Sequence, residues 1–396
     1  MNPSAAGWIK KFGHTLKKNP AYYTSYEELY AWLVESGFIY GIHLHIPDFV
    51  KSEHRLSEDE AAKINLLNAL YHCYYFETNN TDFTKFIDVV FEYYNALDVG
   101  KISFLSKILS GKKTESQLEK LLDSRIYLNG NVFSKAFGNS LTNSLLFVDV
   151  LIFSTYLKGG GTIIKHAHLL EYVTINIAYH ALNSKEANKN DEKLIQLLAS
   201  SLTFVDQNQD NFDGSYQELL QSNFTKLERQ YLLDIACLTV WEDKSIDYKE
   251  SEFIFGIGKD LGINEENISK SLSNVGDFFA LNFENIPYLK EQNLAQKYYE
   301  GMSKNVGKLI LRNNKRLKKE LAESKELVSL ISKSASKDLS PEERKKIQNQ
   351  LLDIFKTIPS LAIFLLPGGA VLLPIAVSLI PKLLPSAFDD NRVEEK

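Results

Sequence analysis

Hydrophobic positions recur at helical spacing over most of this chain, and the strict alternation that marks strands is rare. Near the start, Trp8, Ile9, Phe12 and Leu16 share one helical face, with Lys10, Lys11, Lys17 and Lys18 around it. That pattern predicts a helix docked on a domain or, as a second reading, one lying on a membrane surface. Tyr22, Tyr23, Tyr26, Tyr30 and Trp32 then open an aromatic-rich stretch that continues through Leu66 to Phe76 and Phe83 to Tyr94. Leu141 to Leu157 is strongly apolar, but Asn143 and Asp149 within it predict a buried helix and not a membrane span. Gly159-Gly160-Gly161 ends it. Further on, Leu232, Ile235, Ala236, Thr239 and Val240 form one apolar face, and Phe253, Ile254, Ile257 and Leu261 form another. The fold class is therefore all-α.

From Ile358 to Ile380 the pattern gives way to 23 residues without a charge, IPSLAIFLLPGGAVLLPIAVSLI. About 20 apolar residues span a hydrocarbon core as a helix, so this run predicts a C-terminal membrane segment. Pro359, Pro367, Pro374 and Pro381 interrupt it, with Gly368-Gly369 after the second. Each proline removes a helical hydrogen bond and clashes with the preceding turn. Two forms follow: a proline-kinked single span, which is preferred, or a re-entrant hairpin turning at Pro367-Gly368-Gly369. The approach is a well-specified helix. Ser340 caps, Pro341 takes the first helical position and Glu343 closes a capping box. Ile347, Leu351, Ile354 and Phe355 then line one face.

Charge sharpens this picture. Between Gly301 and Lys356 there are 14 Lys/Arg and 7 Asp/Glu, a net +7, in a chain whose total is −5. Basic residues beside a span stay on the cytoplasmic side, which places the large N-terminal part in the cytoplasm. The same residues would attract anionic headgroups of a lipid bilayer. A weak heptad through this window takes Ile310, Leu317, Ser324 and Ile331 as one position and Asn314, Leu321 and Val328 as the other. Self-association into a homo-oligomer and an intramolecular helical hairpin explain it equally well. The expected organisation is an aromatic-rich helical domain over 1–190, a second helical domain over 191–300 and a basic connector over 301–357. The membrane segment over 358–385 and a polar tail over 386–396 complete it.

The stretch LLDIFKTIPSLAIFLLPGGAVLLPIAVSLIPKLLPSAF resembles the membrane region of the LETM family, the leucine zipper, EF-hand containing transmembrane proteins of the mitochondrial inner membrane. The matching residues are Asp353 ahead of the run, Pro359, Pro367, Gly368, Gly369, Pro374 and Pro381 within it, and the closing Leu384, Pro385 and Phe388. The resemblance implies a bacterial inner-membrane protein of the LETM-related class, a class sometimes described as biofilm-associated, with links to cation homeostasis and ribosome binding. Two departures qualify it. The family's intramembrane acid, associated with cation/proton exchange, aligns with Ala370, and the family continues into a larger ribosome-binding-like domain where this chain ends at Lys396.

Residues 228 to 275 carry a second resemblance. Two amphipathic helices flank the turn DKSIDYKE, which is similar to the acidic signature of TerB-like tellurite-resistance domains, with Lys244 in place of the usual glycine. That family implies a divalent cation held by Asp243, Asp247 and Glu250. A cap made by Asp247 with Glu250 completing its capping box accounts for the same residues and is preferred. The loop Asp206 to Gly214 starts like an EF-hand but has Asn211 at the sixth position and Gln217 at the twelfth, so it reads as a connecting loop.

Enzyme signatures are missing from the sequence. His43, His45 and His54 lack the further ligands of a metal site. His166 and His168 stand two apart in a helix, where side chains do not face each other. Gly111-Lys112-Lys113-Thr114 departs from a phosphate loop, and no nucleophile elbow, dinucleotide fingerprint or nucleic-acid signature is present. Cys73 and Cys237 have no pairing pattern and fit a reducing compartment. The expected function is a membrane-anchored scaffold or interaction protein without an organic cofactor. The alternatives are a subunit of a cation/proton exchanger and, third, a soluble enzyme.

Overall fold

A computed structural model describes residues 1–18, 21–97, 114–126, 146–160, 162–184, 192–205, 216–221, 224–241, 248–286, 303–304, 306–334, 339–358, 361, 364 and 372–385. Among these the regular structure is entirely helical. The first helices are α1 (Trp8–Leu16), α2 (Tyr26–Glu35), α3 (Glu58–Thr78), α4 (Phe83–Ala96), α5 (Glu115–Arg125), α6 (Leu146–Leu157) and α7 (Ile163–Ser184). Next come α8 (Glu192–Val205), α9 (Tyr216–Leu220), α10 (Lys226–Val240), α11 (Tyr248–Asp260) and α12 (Glu265–Asn282). The C-terminal part holds α13 (Asn314–Glu323), α14 (Lys325–Ser334), α15 (Pro341–Thr357) and α16 (Leu373–Leu383).

The long helix α3 is the axis of the first half. Ser57 and Glu60 close a capping box at its start, and fourteen consecutive residues from Ala61 to Tyr74 are buried. A helix covered on all sides needs apolar residues all round, and α3 meets that with Ile64, Leu66, Leu67, Leu70 and Tyr71. It packs against α6, which is buried as expected from its sequence, and against α2. Helix α1 docks on α5. Trp8, Ile9, Phe12 and Leu16 are all buried, and Glu119 Oε1 accepts from the backbone N–H of Gly7 (2.9 Å) and Ile9 (3.2 Å). Its cap is thus supplied from α5, and the docked reading of this helix holds.

Helix α7 packs on α6, α8, α10 and α11. In the second half α10 pairs with α11 and α12. The faces read from sequence are inside: Leu232, Ile235, Ala236, Thr239, Val240, Ile254, Ile257 and Leu261 are buried, with Phe253 packed against the core. Gly258 allows the α11–α12 approach, since a Cβ there would meet the Ile268 side chain at 2.4 Å.

Candidate functional site

The C-terminal region is built on an antiparallel hairpin. Ser340 Oγ accepts from Glu343 N (3.3 Å), and Glu343 Oε2 accepts from Ser340 N (3.0 Å). With Pro341 at the first helical position, this is the capping box expected from the sequence. Ile347, Leu351, Ile354 and Phe355 are all buried, as their spacing predicts. Lys333 Nζ reaches Glu343 (2.5 Å), Lys346 pairs with Glu326, Gln350 Nε2 donates to Glu326 (3.0 Å) and Ser324 Oγ donates to Gln350 (3.1 Å). The contacts 333–343, 326–346 and 324–350 run in opposite directions along α14 and α15, which defines the hairpin. The apolar heptad positions Ile310, Leu317, Leu321, Val328 and Ile331 are buried within the chain. The seam is not one continuous helix, because Ser324 leaves helical geometry at φ −119°, ψ 74°.

The following apolar run departs from a straight helix at once. Helix α15 stops at Thr357, and Ile358 is extended (φ −113°, ψ 108°). The Phe364 ring stacks on Phe355 with centroids 4.7 Å apart. Nine residues of straight helix would separate them by about 13.5 Å along the axis, so Phe355 and Phe364 do not belong to one straight helix. Helix resumes at Leu373 as α16, with Pro374 in the first turn, where a missing N–H is tolerated, and Pro381 in the last. Its eleven residues reach about 16 Å, half of a hydrocarbon core. No helix among the described residues is long and apolar enough to cross a membrane. The preferred continuous kinked helix is therefore not seen among them.

Helix α16 lies on α8 and α14, with Leu373, Ile375, Ala376 and Ile380 buried. It also meets the basic segment at Gly307, where a Cβ would lie 3.5 Å from Leu383 Cδ1. Val377, Leu379 and Leu383 are only partly covered. Of the motif residues, Asp353 is exposed and paired with Lys356 (2.6 Å), Leu384 is buried and Pro385 exposed. Pro359, Pro367, Gly368, Gly369 and Phe388 lie outside the described residues, as does Ala370. Around the hairpin, Lys304, Arg312, Lys315, Arg316, Lys319, Lys325 and Lys345 are exposed, and Leu311 stands 48% exposed beside Arg312.

The acidic turn is described only in part. Asp243 and Asp247 lie outside the described residues. Glu250 is the third residue of α11, the position a capping box requires, and it is buried. No group of three or more His, Cys, Asp or Glu suited to a metal occurs among the described residues. The loop from Asp206 to Gly214 also lies outside them. The histidine pairs are not brought together. His43 is buried with neither ring nitrogen bonded among the described residues, and burial pushes its pKa down to about 3, whereas His45 and His54 are exposed. His166 Nε2 lies 2.6 Å from Glu228 Oε1. Cys73 and Cys237 are free and buried.

The arrangement is that of an all-α protein whose C-terminal part is a basic helical hairpin carrying an apolar, proline-punctuated segment. Residues 339–396 match the protein-family model described as LETM1-like, RBD. No curated protein and no solved structure matches the chain.

Proposed function

We propose that this protein is a membrane-anchored scaffold or interaction protein of the LETM-related class, with most of the chain on the cytoplasmic face of a bacterial inner membrane. The observation that carries this reading is the family match over 339–396, which covers a charge-free run of 23 residues. The exposed basic residues beside that run support it. Lysines and arginines near an anionic surface gain about 1 kcal/mol each, and Leu311 beside Arg312 gives the basic face an apolar contact for the interface. Because Leu373, Ile375, Ala376 and Ile380 face protein, lipid contact by α16 would fall on Val377, Leu379 and Leu383.

Fractionation of cells making the full-length chain tests the proposal. The chain is expected in the membrane pellet and stays there through a wash at about 1 M salt, where the Debye length falls to about 3 Å and headgroup attraction is screened. Release by salt would assign the attachment to the basic face alone and remove the anchor. Recovery in the supernatant at low salt would overturn the proposal altogether.

A further inference from the structure

A cavity of about 420 Å³ opens where α2 and α6 meet α10 and α12, a size within the range of small-molecule sites. Leu227, Gln230 and Asp234 reach it from one face of α10, and Tyr30 and Val34 from one face of α2, by spacings of three and four residues. Burial divides its charged lining. Glu27, Lys158, Lys226 and Lys270 are exposed, whereas Asp234 is buried. Most of the exposed charges are already matched, since Lys158 pairs with Glu77 (3.0 Å) and Lys226 with Glu27 (3.1 Å). Asp234 is not matched. No Lys, Arg or His forms an ion pair with it among the described residues.

Hydrogen bonds hold this carboxylate in place without neutralising it. Tyr30 OH donates to Oδ2 at 2.6 Å, Gln230 Nε2 donates to Oδ1 at 3.2 Å, and Ser271 supplies a third bond. Burial pushes its pKa up to about 6 against those three contacts, and no lysine offsets it. A carboxylate has about four acceptor positions, so one remains for a donor from the cavity. An anion would be repelled by the one buried charge in the lining. A neutral molecule would leave that charge without a counter-ion, in surroundings where an unmatched charge is costly. A divalent metal wants six or more oxygens, and this carboxylate already accepts from three protein donors. A cation that carries its own N–H donors needs only the position that is left.

We propose that this cavity binds a primary organic amine, as its ammonium ion, with a compact hydrocarbon or aromatic body. The ammonium donates to Asp234 and supplies the counter-charge that the fold does not. The phenolic oxygen of Tyr30, which donates to the same carboxylate, can accept a second N–H, and the rings of Tyr26 and Tyr30 line the cavity and favour a cation. The body lies against Val34 and Leu151, the buried apolar side chains of the lining, and its burial adds the non-directional share of the affinity. Lys270, the remaining lining lysine, is exposed on α12, where water and salt screen its charge.

Isothermal titration of the full-length protein at about pH 7.5, where the carboxylate and the amines are all charged, tests this. The probes are isoamylamine and phenethylamine, with isoamyl alcohol, 4-methylpentanoate and isoamyltrimethylammonium as controls. At least one of the two amines is expected to bind saturably. The alcohol, which lacks the charge, and the trimethylammonium, which lacks the N–H donors, should each be weaker than isoamylamine by roughly tenfold or more, about 1.4 kcal/mol. The acid should not bind. Asp234→Asn keeps a hydrogen-bonding group for Tyr30 and should erase the preference for isoamylamine over the alcohol. Ala31→Phe, at an exposed position of the lining, narrows the cavity without touching Asp234 and should weaken the amines. Saturable binding of neither amine, an alcohol as tight as its amine, or Asp234→Asn binding the amines as the parent does would each overturn the proposal. Circular dichroism of each variant confirms that the helical fold is retained.

Discussion

Two ion-pair arrangements in this molecule use the same side-chain chemistry in opposite surroundings. In the N-terminal half, Arg125 on α5 reaches Asp149 on α6 with two hydrogen bonds, Nε to Oδ2 at 2.6 Å and Nη2 to Oδ1 at 3.1 Å. Tyr94 OH donates to the same carboxylate at 2.9 Å, and Tyr93 OH donates to the Asp149 carbonyl at 2.9 Å. Both charged side chains are sealed from water, at 6% and 0% exposure. In the C-terminal hairpin, Lys333–Glu343 and Lys346–Glu326 sit at the surface. The buried set fixes one register between α5 and α6, because any shift strands a charge in the core. The exposed set decorates a hairpin already specified by its apolar face. Location, and not the number of pairs, decides what an ion pair does.

The largest expected effect follows directly. Arg125→Met leaves Asp149 buried without its cation, and breaking a buried pair in this way costs about 3–5 kcal/mol. The double variant Arg125→Met with Asp149→Leu should recover most of that loss, because no charge is then stranded. Urea unfolding midpoints measure both. A double variant as unstable as the single would show that the α5–α6 contact depends on the charges themselves.

A second contrast concerns protons. His43 is buried beside Phe38 with no hydrogen-bond partner among the described residues, and its pKa is lowered to about 3 from 6.5. Between those values the unfolded chain binds a proton that the folded one refuses. Its contribution is therefore fully present above pH 6.5 and is lost as pH falls toward 3, at about 1.4 kcal/mol per pH unit. His72, lowered to about 4, acts in the same direction. Asp234, raised to about 6, acts in the opposite sense, since the folded state binds its proton first and gains stability as pH falls from 6 toward 3.8. His43→Leu should flatten the acid limb of a stability–pH curve by one proton, and an unchanged slope would mean that His43 is solvated.

Glycines divide the two regions again. Gly37 has φ +81°, and a Cβ there would stand 2.0 Å from the Ile42 carbonyl oxygen. That oxygen belongs to a turn held by Ile42 N–H donating to the Gly37 carbonyl (2.9 Å), so the backbone cannot yield cheaply. Gly37→Ala should cost about 1–3 kcal/mol. Gly307 lies in a helical segment with 3.5 Å of clearance to Leu383, so Gly307→Ala should gain about 0.5–1 kcal/mol from helix propensity. Thermal melts of the two variants should move in opposite directions.

Much of the fold was legible because it is written locally. The capping box at Ser340, the docked face of Trp8, Ile9, Phe12 and Leu16, and the buried faces of α10 and α15 each depend on spacing within one helix. Asp149 correctly marked α6 as a buried helix, though its partner could not be named. Arg125 lies 24 residues away and Tyr30 lies 204 residues from Asp234, and no periodicity encodes such pairings. The stacking of Phe364 on Phe355 was hidden for a different reason. Hydropathy reports what a run buries and not what it buries against, so an apolar segment that packs on protein and one that continues into lipid have the same profile. The Ser324 break was equally silent, since heptad spacing persists across it.

The smallest expected effect tests the surface half of the comparison. Lys346 pairs with Glu326, but Glu326 also accepts from Gln350 Nε2 at 3.0 Å, so Lys346→Gln leaves the carboxylate both solvated and hydrogen-bonded. Its lowered pKa comes first from the Lys346 contact and then from Gln350, and in water such attraction is screened and offset by the cost of ordering two long side chains. Lys346→Gln should therefore leave the unfolding midpoint unchanged within error, at low salt and at high salt alike. Binding to vesicles of anionic lipid should weaken slightly with the lost charge, which separates a role at the bilayer surface from one in the fold. A midpoint drop approaching that of Gly37→Ala would mean that the hairpin is held by its ion pairs after all, and the distinction between the two regions would collapse.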